Sequence, residues 1–139
     1  MYSHGLVLPI LALIAWTFVM WLWMYATRIP AMRKAQINLG EISRTGAPLS
    51  LPPQVERVAD NYNHLHEQPT LFFALALAAQ VAGAVDATII GLAWTYVLLR
   101  VVHSLVQATA NVIVVRFGVF VLASLVLFLM LIRTAALIP

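Results

Sequence analysis

Leu6 to Tyr25 is a run of 20 residues without a charged side chain, and no other feature of this 139-residue chain limits its fold so strongly. A hydrocarbon layer roughly 30 Å thick is crossed by about 20 helical residues. Inside it every backbone N–H and C=O must be satisfied within the protein, which a helix does. The run reads as a first transmembrane helix over residues 6–26, with Trp16, Trp21, Trp23 and Tyr25 crowding its second half as aromatic anchors near headgroups. The five residues before it carry no Lys or Arg, and no small-x-small site follows, so it reads as an anchor rather than a signal peptide.

Composition agrees. The chain is 63% hydrophobic and 9% charged, where a soluble domain is about half apolar and about one quarter charged. That balance excludes an ordinary cytosolic globule, a disordered tail and a nucleic-acid-binding domain. With no cysteine, disulfides, thiolate metal sites and a cysteine nucleophile are excluded too, and thiol chemistry would need a thiol brought by a substrate.

The remainder reads as three further helices in a single domain spanning residues 1–139. Residues 27–52 form the one long polar stretch, with Arg28, Arg33, Lys34 and Arg44 against Glu41, and read as a cytoplasmic loop. Pro53 suits a first helical turn and opens a second helix over 53–85, about 50 Å if continuous, with a kink expected at Pro69. The third and fourth helices are expected over 87–109 and 112–136. The expected fold is therefore all-α, a four-transmembrane-helix bundle. Seven of the eight basic residues fall at one level and Arg133 at the other. The positive-inside rule then puts both chain ends on the non-cytoplasmic side of the membrane.

Ionisable residues in membrane helices are costly and face the bundle interior or a wet cavity. Here they cluster at one depth. Arg57, Asp60, His64 and Glu67 are three or four residues apart and share a helical face, with Asn63 beside them; Arg100, His103 and Gln107 do the same on the third helix, and Arg116 opens the fourth. Together they predict a polar pocket facing the cytoplasm with three guanidiniums, suited to a carboxylate-bearing or otherwise anionic ligand. The competing reading is internal neutralisation, Arg57 with Asp60 and Arg100 with Glu67. His64, Glu67 and His103 also have metal-ligand chemistry, but fall short of the facing Glu-x-x-His pattern, and no metal is expected.

Two segments resemble the MAPEG family, the membrane-associated proteins in eicosanoid and glutathione metabolism. One is Glu56-Arg57, then Asn63 or His64, then Glu67, ahead of an apolar run with Pro69 and Phe72. The other is Arg100-Val101-Val102-His103 with Arg116 thirteen residues after the histidine. The order and spacing cover nearly the whole chain, as in a divergent bacterial-type member of the inner membrane. The resemblance implies a homotrimer of four-helix protomers in contact with lipid, with glutathione as co-substrate between subunits. Glu67 would bind the glutathione amino group, Arg57, Asn63, His64, Arg100, His103 and Gln107 would surround the tripeptide, and Arg116 would stabilise its thiolate. The implied activity is transfer to, or reduction of, a lipophilic electrophile or hydroperoxide. Asp60 and Tyr62 stand where better-known members carry arginine and histidine, and Gln107 and Phe120 where they carry tyrosines. These substitutions suit an alternative, a non-catalytic structural or accessory membrane subunit that keeps the fold.

Overall fold

The computed structural model describes residues 4–139, which form six helices and, among the described residues, no strand. α1 spans Val7–Lys34, α2 Leu39–Thr45, α3 Pro53–His64, α4 Pro69–Val81, α5 Ala87–Ala108 and α6 Ile113–Leu137. α1, α5 and α6 are long and apolar enough to cross a membrane.

The first helix runs eight residues beyond the expected end at 26. Nothing between Tyr25 and Lys34 stops it, because Pro30 removes only one hydrogen bond close to the helix end. At about 1.5 Å per residue α1 is roughly 42 Å long, so its last turns carry Arg33 and Lys34 past a 30 Å hydrocarbon layer. The two cations sit at the negative end of the helix. A Schellman turn closes it: Gln36 takes φ +52°, and the Ile37 N–H bonds the Met32 carbonyl at 3.2 Å. The expected loop 27–52 is thus partly helical. α2 is capped by Asn38, whose Oδ1 accepts from the Glu41 N–H at 3.1 Å, and ends at Gly46 with φ +69°.

The expected second helix, 53–85, is two helices. Pro69 has no N–H for the Leu65 carbonyl, and its ring would collide with that oxygen. The backbone tightens to 3₁₀-type bonds, His66 N–H to Asn63 O at 2.9 Å and Glu67 N–H to His64 O at 3.2 Å. α4 then restarts with Pro69 in its first turn. It ends at Val81, short of the expected 85, because Gly83 at φ +69° closes a second Schellman turn, with Ala84 N–H on Ala79 O at 3.0 Å.

α5 packs on α1, α3 and α6. The main core joins α1, α4, α5 and α6 through Leu13, Phe72, Ala76, Ala93, Tyr96, Ala123 and Met130, with Phe72 and Tyr96 stacked at 4.7 Å. A smaller core of Met20, Val58, Leu65 and Ala108 seats α3 against α1 and α5. Gln68, in the α3–α4 turn, ties this end together: its Nε2 donates to Ser124 Oγ at 2.7 Å, and its Oε1 accepts from the Tyr96 hydroxyl at 3.2 Å.

At the opposite end Asp86 caps α5, accepting from the Ile89 N–H at 2.8 Å, and its other oxygen accepts from Arg133 Nη2 at 2.6 Å and Nε at 2.9 Å. The N–H of Ile89 and the Arg133 guanidinium hold the Asp86 carboxyl below its ordinary value. A carboxylate so depressed contributes stability that is full above its unfolded pKa of about 4 and is lost as pH falls through the lower folded value. Asp86→Asn keeps a capping side chain but loses the ion pair. In detergent it is expected to melt below the parent at pH 6–7, with the gap closing below about pH 4; a gap independent of pH counts against the ion pair. Gln68→Leu strands the Tyr96 hydroxyl and removes the donor to Ser124 Oγ, which keeps its bond to the Phe120 carbonyl; it is expected to cost about 1–3 kcal/mol in chemical denaturation, with Ser124→Ala costing less.

Candidate functional site

The break at Pro69 shapes the site. It leaves His64 as the last residue of α3 and puts Glu67 in the turn. Side chains also reach carbonyls at this break. The Tyr62 carbonyl lies 2.9 Å from His66 Nδ1, and the His64 carbonyl accepts from Arg100 Nη2 at a long 3.4 Å. Glu67 folds back so that its Oε2 lies 2.7 Å from His64 Nδ1.

This turn forms one wall of an open cavity of about 530 Å³. Asp60, Asn63, His64 and Glu67 line it from α3 and the turn, His103 and Gln107 from α5, and Ile113, Arg116, Phe117 and Phe120 from α6. The volume lies in the range of small-molecule sites. His64 and His103 lie ring over ring at 4.9 Å, with Phe120 5.6 Å from His64.

Arg116 is the one guanidinium on the wall. Its Nη1 donates to Asn111 Oδ1 at 2.9 Å, and among the described residues no carboxylate lies within ion-pair distance of it. Asn111 stands in the α5–α6 turn at φ +50°, a left-handed conformation that asparagine tolerates better than most residues. The turn thus supplies a neutral acceptor that orients Arg116 without cancelling its charge.

Six of the eight residues expected at the site, Asn63, His64, Glu67, His103, Gln107 and Arg116, line the cavity. Arg57 and Arg100 do not, and the expected three-guanidinium pocket is corrected to one. Arg57 reaches across to the Thr109 carbonyl and back to the Pro53 carbonyl at 3.3 Å, drawn to the negative C-terminal end of α5. Arg100 is fully buried behind the wall, its Cζ 6.0 Å from the Phe120 ring. Neither of the alternative ion pairs, Arg57 with Asp60 or Arg100 with Glu67, is formed. Among the described residues no group of three or more His, Asp or Glu side chains is placed to hold a metal ion.

Sequence reasoning missed Asn111, Ile113 and Phe117 on or beside the wall. Asn111 carried a legible signal, a turn-forming residue five positions before an arginine at a helix start. Ile113 and Phe117 carried none, because apolar residues near a helix start read equally as lipid-facing.

No curated protein and no solved structure matches the chain. The MAPEG family model matches residues 6–136. Its apolar helices and this match make it an integral membrane protein, and the chain belongs to the MAPEG family.

Proposed function

We propose that this protein is a glutathione-dependent transferase or peroxidase acting on a lipophilic electrophile or hydroperoxide. One observation carries the reading: Arg116 stands on the wall of a cavity of ligand size, oriented by Asn111 and, among the described residues, with no carboxylate in ion-pair distance. A free thiol has a pKa of about 8.5, so roughly 3% is ionised at pH 7. A guanidinium that lowers this value by about two units raises the ionised share to roughly three quarters, although the thiolate becomes less nucleophilic as its pKa falls. The same cation steadies charge on the sulfur as it attacks.

The rest of the wall suits the other groups of the tripeptide. Asp60 and Glu67 are acceptors for an ammonium, and Asn63 and Gln107 offer amides to its peptide bonds. In this reading α4 makes the fourth membrane crossing and three copies assemble around the thiol site, as the family resemblance implies. The basic end of α1, with Arg28, Arg33 and Lys34, lies at the cytoplasmic face of a bacterial inner membrane and the Asp86–Arg133 end at the opposite face. The exposed apolar side chains Phe117, Leu125 and Phe128 on α6 and Leu71 and Leu77 on α4 face lipid or a neighbouring copy.

Calorimetric titration of the detergent-purified protein with glutathione is expected to give saturable heat in the millimolar range or below. No heat, with helicity intact by circular dichroism, overturns the reading. In the enzyme, Arg116→Ala is expected to move the acid limb of the kcat/KM profile up by about two pH units and to lower kcat/KM at pH 7 about tenfold or more, with Arg116→Lys between the two.

Asp60 on the wall and Phe120 beside the two histidines favour a second reading, an accessory membrane subunit without turnover. It requires that Arg116→Ala alter assembly or partner retention, measured by size-exclusion chromatography, while no thiol-dependent turnover is found in the parent.

A further inference from the structure

The seam between α3 and α5 holds a second polar cluster that the cavity does not use. Two hydrogen bonds fix the register of these antiparallel helices: Arg100 to the His64 carbonyl at one level, and Arg57 to the Thr109 carbonyl farther along. Midway between them that register brings Asn61 of α3 and Ser104 of α5 to the same level. Both residues are fully buried, and among the described residues neither Asn61 Oδ1, Asn61 Nδ2 nor Ser104 Oγ has a hydrogen-bond partner. Arg100, one turn from Ser104 on the same face of α5, is also fully buried, and its Nε and Nη1 have no partner.

Buried donors of this kind are costly to leave unmade. Ordered water would satisfy the neutral groups, but not the charge. Among the described residues no carboxylate lies within ion-pair distance of Arg100. Glu67 is engaged with His64 at 2.7 Å, and its side chain is 66% exposed on the cavity side. An uncompensated guanidinium in the interior of a membrane protein calls for a counter-charge. Lipid headgroups are out of reach of a side chain with no exposed surface.

We propose that the seam formed by Arg100, Ser104 and Asn61 binds a small monovalent anion of halide size, which serves as the counter-ion of Arg100. Arg100 Nε and Nη1, Ser104 Oγ and Asn61 Nδ2 are the donors. None of the three residues lines the cavity, whereas His103, next to Ser104 in sequence, does. The site is therefore independent of any cavity ligand, and it holds whether or not the protein turns over a thiol.

The test uses the full-length protein in detergent, with chloride exchanged for gluconate at constant ionic strength. Chloride is expected to raise the melting temperature of the parent by several degrees, roughly 3–6 °C. That increment is expected to vanish in Ser104→Ala and in Asn61→Leu. Either variant suffices if the other fails to fold. Crystals grown in bromide are expected to show an anomalous peak within hydrogen-bonding distance of Arg100 Nε or Nη1. Equal melting temperatures in chloride and gluconate overturn the proposal, as does an increment that survives in the variants. A bromide peak without chloride-dependent melting marks an adventitious ion only and overturns it too.

Discussion

Pro69 lacks the N–H that would have carried the α3 helix into α4, and the architecture of the polar end follows from how the neighbouring groups answer that loss. A proline inside a helix costs about 3 kcal/mol or more if the chain is forced to continue. Here the chain does not continue. It tightens through 3₁₀-type bonds at His66 and Glu67 and restarts at Pro69. Side chains take part of the freed hydrogen bonding: the His66 ring meets the Tyr62 carbonyl, and Arg100 the His64 carbonyl. The break turns Glu67 off the helix and back onto His64, which opens the wall against α5 and α6. A straight helix from 53 to 85 would have kept Glu67 on the face it shares with His64, and the turn carrying Gln68 to Ser124 and Tyr96 would not exist.

Arg100 is the most consequential side chain in this arrangement. Burying a guanidinium in the membrane interior is unfavourable unless its donors and charge are met. One donor is met by the end of α3, whose C-terminal carbonyls carry partial negative charge. The same logic places Arg57, which reaches the end of α5 at Thr109. Two arginines that sequence spacing assigns to a ligand are thus held by helix termini of this chain. They lock α3 against α5 in a fixed register, and that register stations His64, His103 and Gln107 on one wall.

The apolar runs made much of the fold legible. α5 and α6 lie within one residue of the bounds read from the turn residues Gly83, Asp86 and Asn111, because membrane helices are limited by length and by turn chemistry more than by tertiary detail. The α1 end was misjudged because the reading stopped at the first cation, whereas a helix can carry Arg28, Arg33 and Lys34 beyond the hydrocarbon layer at no backbone cost. At the site, spacing of three and four groups polar residues on two helix faces, and six of the expected residues share the cavity. Spacing could not tell a cation facing a ligand from one facing a carbonyl, since both sit on the inward face. Only the Pro69 break decides which carbonyls are free, and a sequence shows the proline without showing who answers it.

The corrected inventory changes what the cavity selects. With three guanidiniums it would favour any small anion. With Arg116 alone against Asp60 and Glu67, its fixed charges sum to net negative, and they are separated: the carboxylates on the α3 side, the cation on α6. A purely anionic guest gains at Arg116 and loses at the opposite wall, since like charges repel as strongly as unlike ones attract at equal distance. A guest carrying an ammonium at one end and an ionisable group about a cavity's width away gains at both. That charge layout suits a zwitterionic guest over a simple carboxylate. The Glu67 side chain is 66% exposed, so the acidic side of this layout is open to solvent while Arg116 stands across the cavity on α6.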